Sequence, residues 1–191
     1  MPFVICRDDT ARPRSPRHHK RARLARHRLC HRRRIANAIW GEPRATIDVD
    51  VTVSVNEDEL RGTVPAISER FRPAVADPVA FVEETRVLPL DTADGVRIDV
   101  IFALLPFELD AIRRARDVSI AGRTVRVVTA EDLVLMKIIS ERPRDLADAE
   151  AIVRRRAAAL DRGYLEPRIR ELASALDRAE ILDRWRQWTF M

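Results

Sequence analysis

The chain has 191 residues, enough for one domain with a substantial hydrophobic core and a helical extension. Its 35 Lys and Arg residues outnumber its 30 Asp and Glu residues, for a formal net charge of +5, and no apolar run approaches the roughly 18 residues that a membrane span needs. Two cysteines without metal-like spacing indicate neither a disulfide framework nor a zinc site, so we expect a cytoplasmic protein that does not enter a membrane.

The basic residues are concentrated at the start of the chain. Residues 1–40 contain twelve of them against two aspartates, a net charge of +10, whereas residues 41–191 hold 23 basic and 28 acidic residues, a net charge of −5. Residues 1–34 also lack glycine and show almost no apolar periodicity, and like charges at this density repel one another. We therefore predict a basic arm over residues 1–34, either disordered or aberrant, ahead of an acidic folded part.

Order is expected to begin at Ile35. The stretch IANAIW has a short helical pattern, which Gly41 and Pro43 end. Residues 47–55 then alternate apolar and polar side chains with a period of two, and only a strand presents such a pattern as two faces.

The middle of the chain combines helices and hairpins. Residues 57–71 and 106–115 have helical patterns, and the second of these stretches starts with a proline, as helices often do. Residues 84–104 and 117–128 each hold two strand-like runs joined at a glycine, so we predict two β-hairpins.

From Thr129 to the end, the patterns are helical. Thr129 and Asp132 resemble a capping box that opens a helix, Pro143 starts the next helix, and Gly163 separates the last helical region.

This order predicts an α+β fold: a mixed β-sheet with helices on one side and a helical C-terminal extension. We expect a core domain over residues 35–128 and a helical region over residues 129–191.

Two aspartates stand out in the first strand. Asp48 and Asp50 share a strand face, close enough for one ion to lie between them. The alternative is that this face, continued by Thr52 and Ser54, is simply solvated.

Three more charged residues add to this pair. Asp99 lies in the apolar strand VRIDVIFA and needs a partner, for which Arg97 is the plain alternative to a metal ion. Lys137 is the only charge in LVLMKII, so it either reaches an anion or covers apolar surface with its stem. Arg44 precedes Asp48 by four residues, where a guanidinium could meet phosphate. Together these types of residue suit phosphoryl chemistry: carboxylates hold Mg²⁺ and cations receive phosphate charge.

Three segments carry a family resemblance: IANAIWGEPRATIDVDVTV, GVRIDVIF and TAEDLVLMKIISERPRDLADAEAIV. They resemble the AbiEii-type nucleotidyltransferases, relatives of the minimal nucleotidyltransferases within the polymerase-β-like superfamily, over about residues 35–155. The resemblance implies that Asp48, Asp50 and Asp99 are the catalytic residues and bind Mg²⁺ with an NTP. It also implies a phosphate contact for Lys137, and the third acid is expected to ready the acceptor hydroxyl.

The resemblance further implies a biological setting. Members of the family act as toxins of toxin–antitoxin pairs, so RNA is the expected acceptor and an antitoxin protein an expected partner. Asp145 and Asp148 match acids that recur in the family, but acids in the first turn of a helix are favoured by its dipole and are more often structural.

One position departs from the family. Members carry a Gly-Gly or Gly-Ser pair ahead of the helix that precedes the Asp pair, where Arg33 and Arg34 stand here. One hypothesis is a repurposed protein whose arginines hold phosphates or nucleic acid. The other is a reading-frame error, because codons for HRRR shifted by one base can encode Ile-Gly-Gly. The coding DNA decides between the two hypotheses.

The alternative to a nucleotidyltransferase is a catalytically inactive, nucleotidyltransferase-like module that binds nucleic acid.

Overall fold

The computed structural model of the chain describes residues 29–31, 33–41 and 49–190. The strands are β1 (Leu29–His31), β2 (Val49–Val53), β3 (Arg72–Pro73), β4 (Val87–Asp91), β5 (Arg97–Phe102), β6 (Arg116–Ile120) and β7 (Arg123–Val127). The helices are α1 (Arg33–Trp40), α2 (Glu57–Ser68), α3 (Pro78–Thr85), α4 (Pro106–Arg114), α5 (Ala130–Ile138), α6 (Pro143–Arg156), α7 (Arg162–Ala175) and α8 (Glu180–Thr189).

The strands of the described residues form one mixed sheet in the order β3-β4-β5-β2-β1-β7-β6. The β2–β5 and β1–β7 pairs are parallel, and the other neighbouring pairs are antiparallel. Strands β4 and β5 form the first predicted hairpin and β6 and β7 the second, with positive φ at Gly95 and Gly122 in the connecting turns. The fold is α+β with a mixed sheet and a helical C-terminal extension, as the sequence predicted.

Two hydrophobic clusters hold the sheet. Helices α2 and α3 pack against one face of β2, β4 and β5, where Val53, Val64, Val82 and Phe102 are buried together. The second cluster joins β7 to α1 and to helices α4 through α8. The C-terminal helices therefore share one continuous core with β7, and this shared core fixes their position on the sheet. None of the helices in the described ranges is both long and apolar enough to cross a lipid bilayer.

Regular structure begins earlier than the expected Ile35. Leu29–His31 forms strand β1 between β2 and β7, and α1 starts at Arg33, so both elements begin inside the segment assigned to the basic arm. Three residues are too few to show the alternation that marks a strand, and β1 is held by backbone pairing on both sides. Residues 1–28 of the predicted arm lie outside the described residues.

Two further elements differ from the sequence prediction. Helix α3 was not predicted, although Asp77 caps it by accepting a hydrogen bond from the Ala80 amide at 3.0 Å and Pro78 occupies its first turn. Gly163 was expected to separate two helices but lies inside α7, which Asp161 caps through the Tyr164 amide. The preference of aspartate for cap positions outweighs the breaking tendency of the glycine here.

A buried polar network joins α4, α5 and α7. Asp132 is 1% exposed; one carboxylate oxygen accepts from the Thr129 hydroxyl at 2.6 Å, and the other accepts from the Tyr164 hydroxyl at 2.6 Å. The guanidinium groups of Arg114 and Arg168 stack on the Tyr164 ring at 3.7 and 3.8 Å from its centroid. Thr129 thus caps α5 as predicted, since its hydroxyl accepts from the Asp132 amide at 3.2 Å, but the Asp132 carboxylate bonds to that hydroxyl and not to the Thr129 amide as a capping box requires. The same carboxylate connects α5 to α7 through Tyr164.

Replacing Tyr164 by phenylalanine should lower the free energy of unfolding by about 1.5–3 kcal/mol, the usual cost of removing a hydrogen bond to a charged group. Burial and then the bond to Asp132 raise the pKa of Tyr164 above its ordinary value of 10.0. Because the folded state holds this proton more tightly, the advantage of the wild type over the variant should be complete below pH 10 and shrink as the pH rises further. Urea unfolding of both proteins between pH 7 and 11 measures this difference, and a difference that grows above pH 10 would contradict it.

Candidate active site

The register of the central strands brings two of the predicted aspartates together. Strands β2 and β5 are parallel neighbours, and Asp50 lies directly opposite Asp99. Paired residues of neighbouring strands are about 4.8 Å apart and point to the same face of the sheet. Val49 and Ile98, one residue earlier on each strand, pack into the cluster with α2 and α3. The two carboxylates therefore lie on the opposite face of the sheet from α2 and α3.

This face is not simply solvated, as the alternative interpretation held. Asp50 is only 9% exposed and Thr52, two residues further along the same face, is 0% exposed. Within the described part of the chain, the Asp50 carboxylate has neither a hydrogen-bond partner nor an ion-pair partner. Arg97, the expected alternative partner of Asp99, pairs instead with Asp91 at 3.0 Å. A nearly buried carboxylate without a protein partner is costly unless a cation or water compensates it.

The donors present fit a divalent cation. Two carboxylates side by side offer the oxygen ligands that Mg²⁺ prefers, and Mg²⁺ commonly takes one or two protein carboxylates together with water and substrate phosphates. Asp48 and Arg44, also predicted for this site, lie outside the described residues. Among the described residues, no group of three His, Cys, Asp or Glu side chains could hold a metal ion. The site as described is therefore a pair of acids.

The start of helix α1 lies beside this pair. His31 of β1 pairs with Val51 of β2 in antiparallel register, so the chain leaves β1 next to Asp50 and enters α1 at Arg33. The amide groups at the start of a helix and its dipole favour anions. Arg33 and Arg34, which stand where the resemblance implies a glycine pair, occupy the first turn of α1. The position at which the sequence departs from that resemblance therefore lies at the edge of the carboxylate pair.

Lys137 contacts two acids of its own helical region. Its ammonium group is 2% exposed and donates to Asp145 and to Asp148, each at 2.8 Å. Ser140 donates to the second oxygen of Asp145 at 2.9 Å. The structure thus pairs Lys137 with Asp145 and Asp148 through a buried network between α5 and α6, whereas the phosphate contact implied by the resemblance stays a prediction.

Thr52 was not among the residues singled out for function. Its hydroxyl is completely buried on the face that carries Asp50 and Asp99, and it has no hydrogen-bond partner in the described structure. The sequence contained one signal for it, the threonine that continues the face of the Asp pair.

No protein-family model matches the sequence, and no curated protein is similar enough to count as a relative. Solved structures do match. An antigenic nucleotidyltransferase-like protein from Paracoccidioides brasiliensis is 14% identical with a TM-score of 0.46, covering 86% of this chain and 88% of that one. The antibiotic-resistance factor ANT(2'')-Ia is 17% identical with a TM-score of 0.52, covering 85% of this chain and 94% of that one. The second likeness shows that the chain shares its fold with ANT(2'')-Ia.

Proposed function

We propose that the chain is a Mg²⁺-dependent nucleotidyltransferase that transfers a nucleoside monophosphate from an NTP to an acceptor hydroxyl. The observation that carries the proposal is the pairing of a buried Asp50 with a partly buried Asp99 on one face of the central parallel strands. The family resemblance of the three sequence segments supports it, and the chain shares its fold with the antibiotic-resistance factor ANT(2'')-Ia. An unpartnered carboxylate in such a place is more readily explained by a ligand site than by packing.

Each acid has a defined task in the proposed reaction. Asp50 and Asp99, with Asp48 as a third candidate ligand, would hold the cation, and Arg44 and Lys137 are the candidate contacts for the nucleotide phosphates. When bound, the cation supplies positive charge that stabilises the reacting phosphate oxygens. The acceptor oxygen forms a bond to the α-phosphorus while the bond to the pyrophosphate oxygen breaks. Asp99 receives the hydroxyl proton as a general base.

The acceptor and setting come from the family resemblance. RNA is the proposed acceptor, and a toxin of a toxin–antitoxin pair is the proposed role, with an antitoxin as partner. The second candidate is an inactive nucleic-acid-binding module. It is favoured by the arginines in the first turn of α1, where the family carries glycines, since arginine side chains bind phosphate without catalysis.

Label transfer distinguishes these candidates. The full chain is incubated with total RNA, Mg²⁺ and an NTP labelled on either the α- or the γ-phosphate, with EDTA as the metal-free control. We expect Mg²⁺-dependent incorporation of the α label and none of the γ label, because the γ-phosphate leaves in pyrophosphate. Incorporation of the γ label would instead indicate a kinase, and RNA retention that salt weakens, without transfer, would indicate the module.

A paired variant tests the departure from the family. Arg33→Gly combined with Arg34→Gly places at the start of α1 the glycine pair that the family resemblance implies, and glycines let backbone amides approach a phosphate closely. Transfer by this variant but not by the wild type would show an impaired enzyme. Absence of transfer from both would contradict the enzymatic proposal.

A further inference from the structure

Two polar groups without protein partners lie next to each other on the central strand. Asp50 and Thr52 share one face of β2, so their Cα atoms are about 6.6 Å apart, two residues of strand rise. Neither the Asp50 carboxylate nor the Thr52 hydroxyl hydrogen-bonds to any group in the described ranges. A single water between the two side chains would supply a hydrogen bond to each of them.

Because Thr52 is buried, its hydroxyl needs a hydrogen-bond partner to avoid a cost in stability. The residue is 0% exposed, in the middle of the sheet, with Ile101 of β5 and Cys30 of β1 as its strand neighbours. Helix α1 contacts β2, and its buried Ala36 belongs to the cluster on the other side from α2 and α3, so α1 covers this face. A valine would fill the same volume without the cost of burying an unpaired hydroxyl. The threonine is therefore best explained by a partner other than the side chains and backbone of the described residues.

We propose that Thr52 is a positioning residue for the carboxylate pair, and that its hydroxyl holds an ordered water that donates a hydrogen bond to Asp50. This inference rests on the proposed function, because the water matters through the orientation of a carboxylate that holds the cation. A hydrogen bond to a metal-binding carboxylate fixes its direction, and loss of such a contact commonly lowers metal affinity by about 10–100-fold.

Thr52→Val and Thr52→Ser test this role. The valine variant should need about 10–100-fold more Mg²⁺ than the wild type to reach half of the Mg²⁺-dependent rise in Tm, and its kcat should fall while the KM for the NTP stays within about threefold. The serine variant keeps the hydroxyl and should stay near the wild type in both measurements. Without Mg²⁺, Thr52→Val should not raise Tm, since it removes a hydroxyl whose hydrogen bond is satisfied.

A matched control uses a buried threonine whose hydroxyl has a partner in the structure. Thr63 on α2 donates to the Glu59 carbonyl at 2.8 Å on the opposite side of the sheet. Thr63→Val should lower Tm and leave the Mg²⁺ midpoint unchanged.

Each remaining outcome overturns a defined statement. If the metal-free Tm of Thr52→Val were about 2–4 °C above that of the wild type, the Thr52 hydroxyl would be unsatisfied in the wild type. That result would contradict the proposed ordered water. A wild-type Mg²⁺ response that Thr52→Val leaves unaltered would overturn the positioning role while the proposed function stands. A wild type whose Tm responds to Mg²⁺ neither alone nor together with a non-hydrolysable NTP analogue would overturn both.

Discussion

Replacing Asp50 by asparagine is expected to lower nucleotidyl transfer by about 10³-fold, because the charge stabilisation supplied through a metal site is worth several kcal/mol. The same change should leave the metal-free protein as stable as the wild type, or more stable. Asp50 is 9% exposed and has no ion-pair partner in the described structure, so the neutral amide avoids the cost of burying a charge. Label transfer to RNA and urea unfolding without metal measure the two effects.

Asp117→Asn is the matched control for this experiment. Asp117 is an exposed aspartate on β6, which forms one edge of the sheet and is separated from β2 by β1 and β7. The same chemical change at Asp117 should therefore affect neither transfer nor stability. Asp99→Asn should behave like Asp50→Asn in the transfer assay, since the two residues are paired. If Asp50→Asn lowered stability and its activity loss merely followed the unfolded fraction, Asp50 would be a structural residue.

Local signals account for most of the fold. The alternation around Asp50, the two glycine turns, the Thr129 cap and Pro143 at a helix start each involve a few consecutive residues, and each appears in the structure where the sequence predicted it. Such signals depend on backbone geometry and local hydrogen bonds, which a single sequence displays directly.

Elements held by distant parts of the chain were harder to predict. Strand β1 is only three residues long and is defined by its pairing with β2 and β7, which lie about 20 and 100 residues away along the chain. The bond from Tyr164 to Asp132 spans 32 residues, and no spacing rule connects the two positions. Helix α3 is a different case, since its Asp77-Pro78 start is a local signal for the beginning of a helix.

In the candidate site too, local sequence signals predict some features, and others depend on contacts between distant parts of the chain. Strand periodicity placed Asp50 on a polar face, but only the parallel pairing of β2 and β5 puts Asp99 beside it. The expectation that the acids lie on neighbouring strands is therefore confirmed for Asp50 and Asp99 by the pairing of β2 with β5. Lys137 was predicted to be buried or to reach an anion, and both hold, yet the anions it meets are Asp145 and Asp148. Periodicity gives the burial of a side chain; it does not give the partner.

Lys137→Met should lower the free energy of unfolding by about 3–5 kcal/mol, the usual cost of removing one partner from a buried ion pair. The ammonium group is 2% exposed, and both of its acceptor side chains, Asp145 and Asp148, are nearly buried. Without the lysine, two neighbouring carboxylates remain in a poorly solvated place and repel each other. Urea unfolding at pH 7 measures the loss.

A triple variant separates charge from packing. Lys137→Met combined with Asp145→Asn and Asp148→Asn removes all three charges at nearly constant volume, so it should recover most of the stability that the single change loses. The phosphate contact implied for Lys137 predicts a different pattern: normal stability, with a raised KM for the NTP in both variants. A single variant that loses less than about 1 kcal/mol and binds the NTP weakly would favour that contact, because an ammonium group that the fold needs cannot be removed at so small a cost.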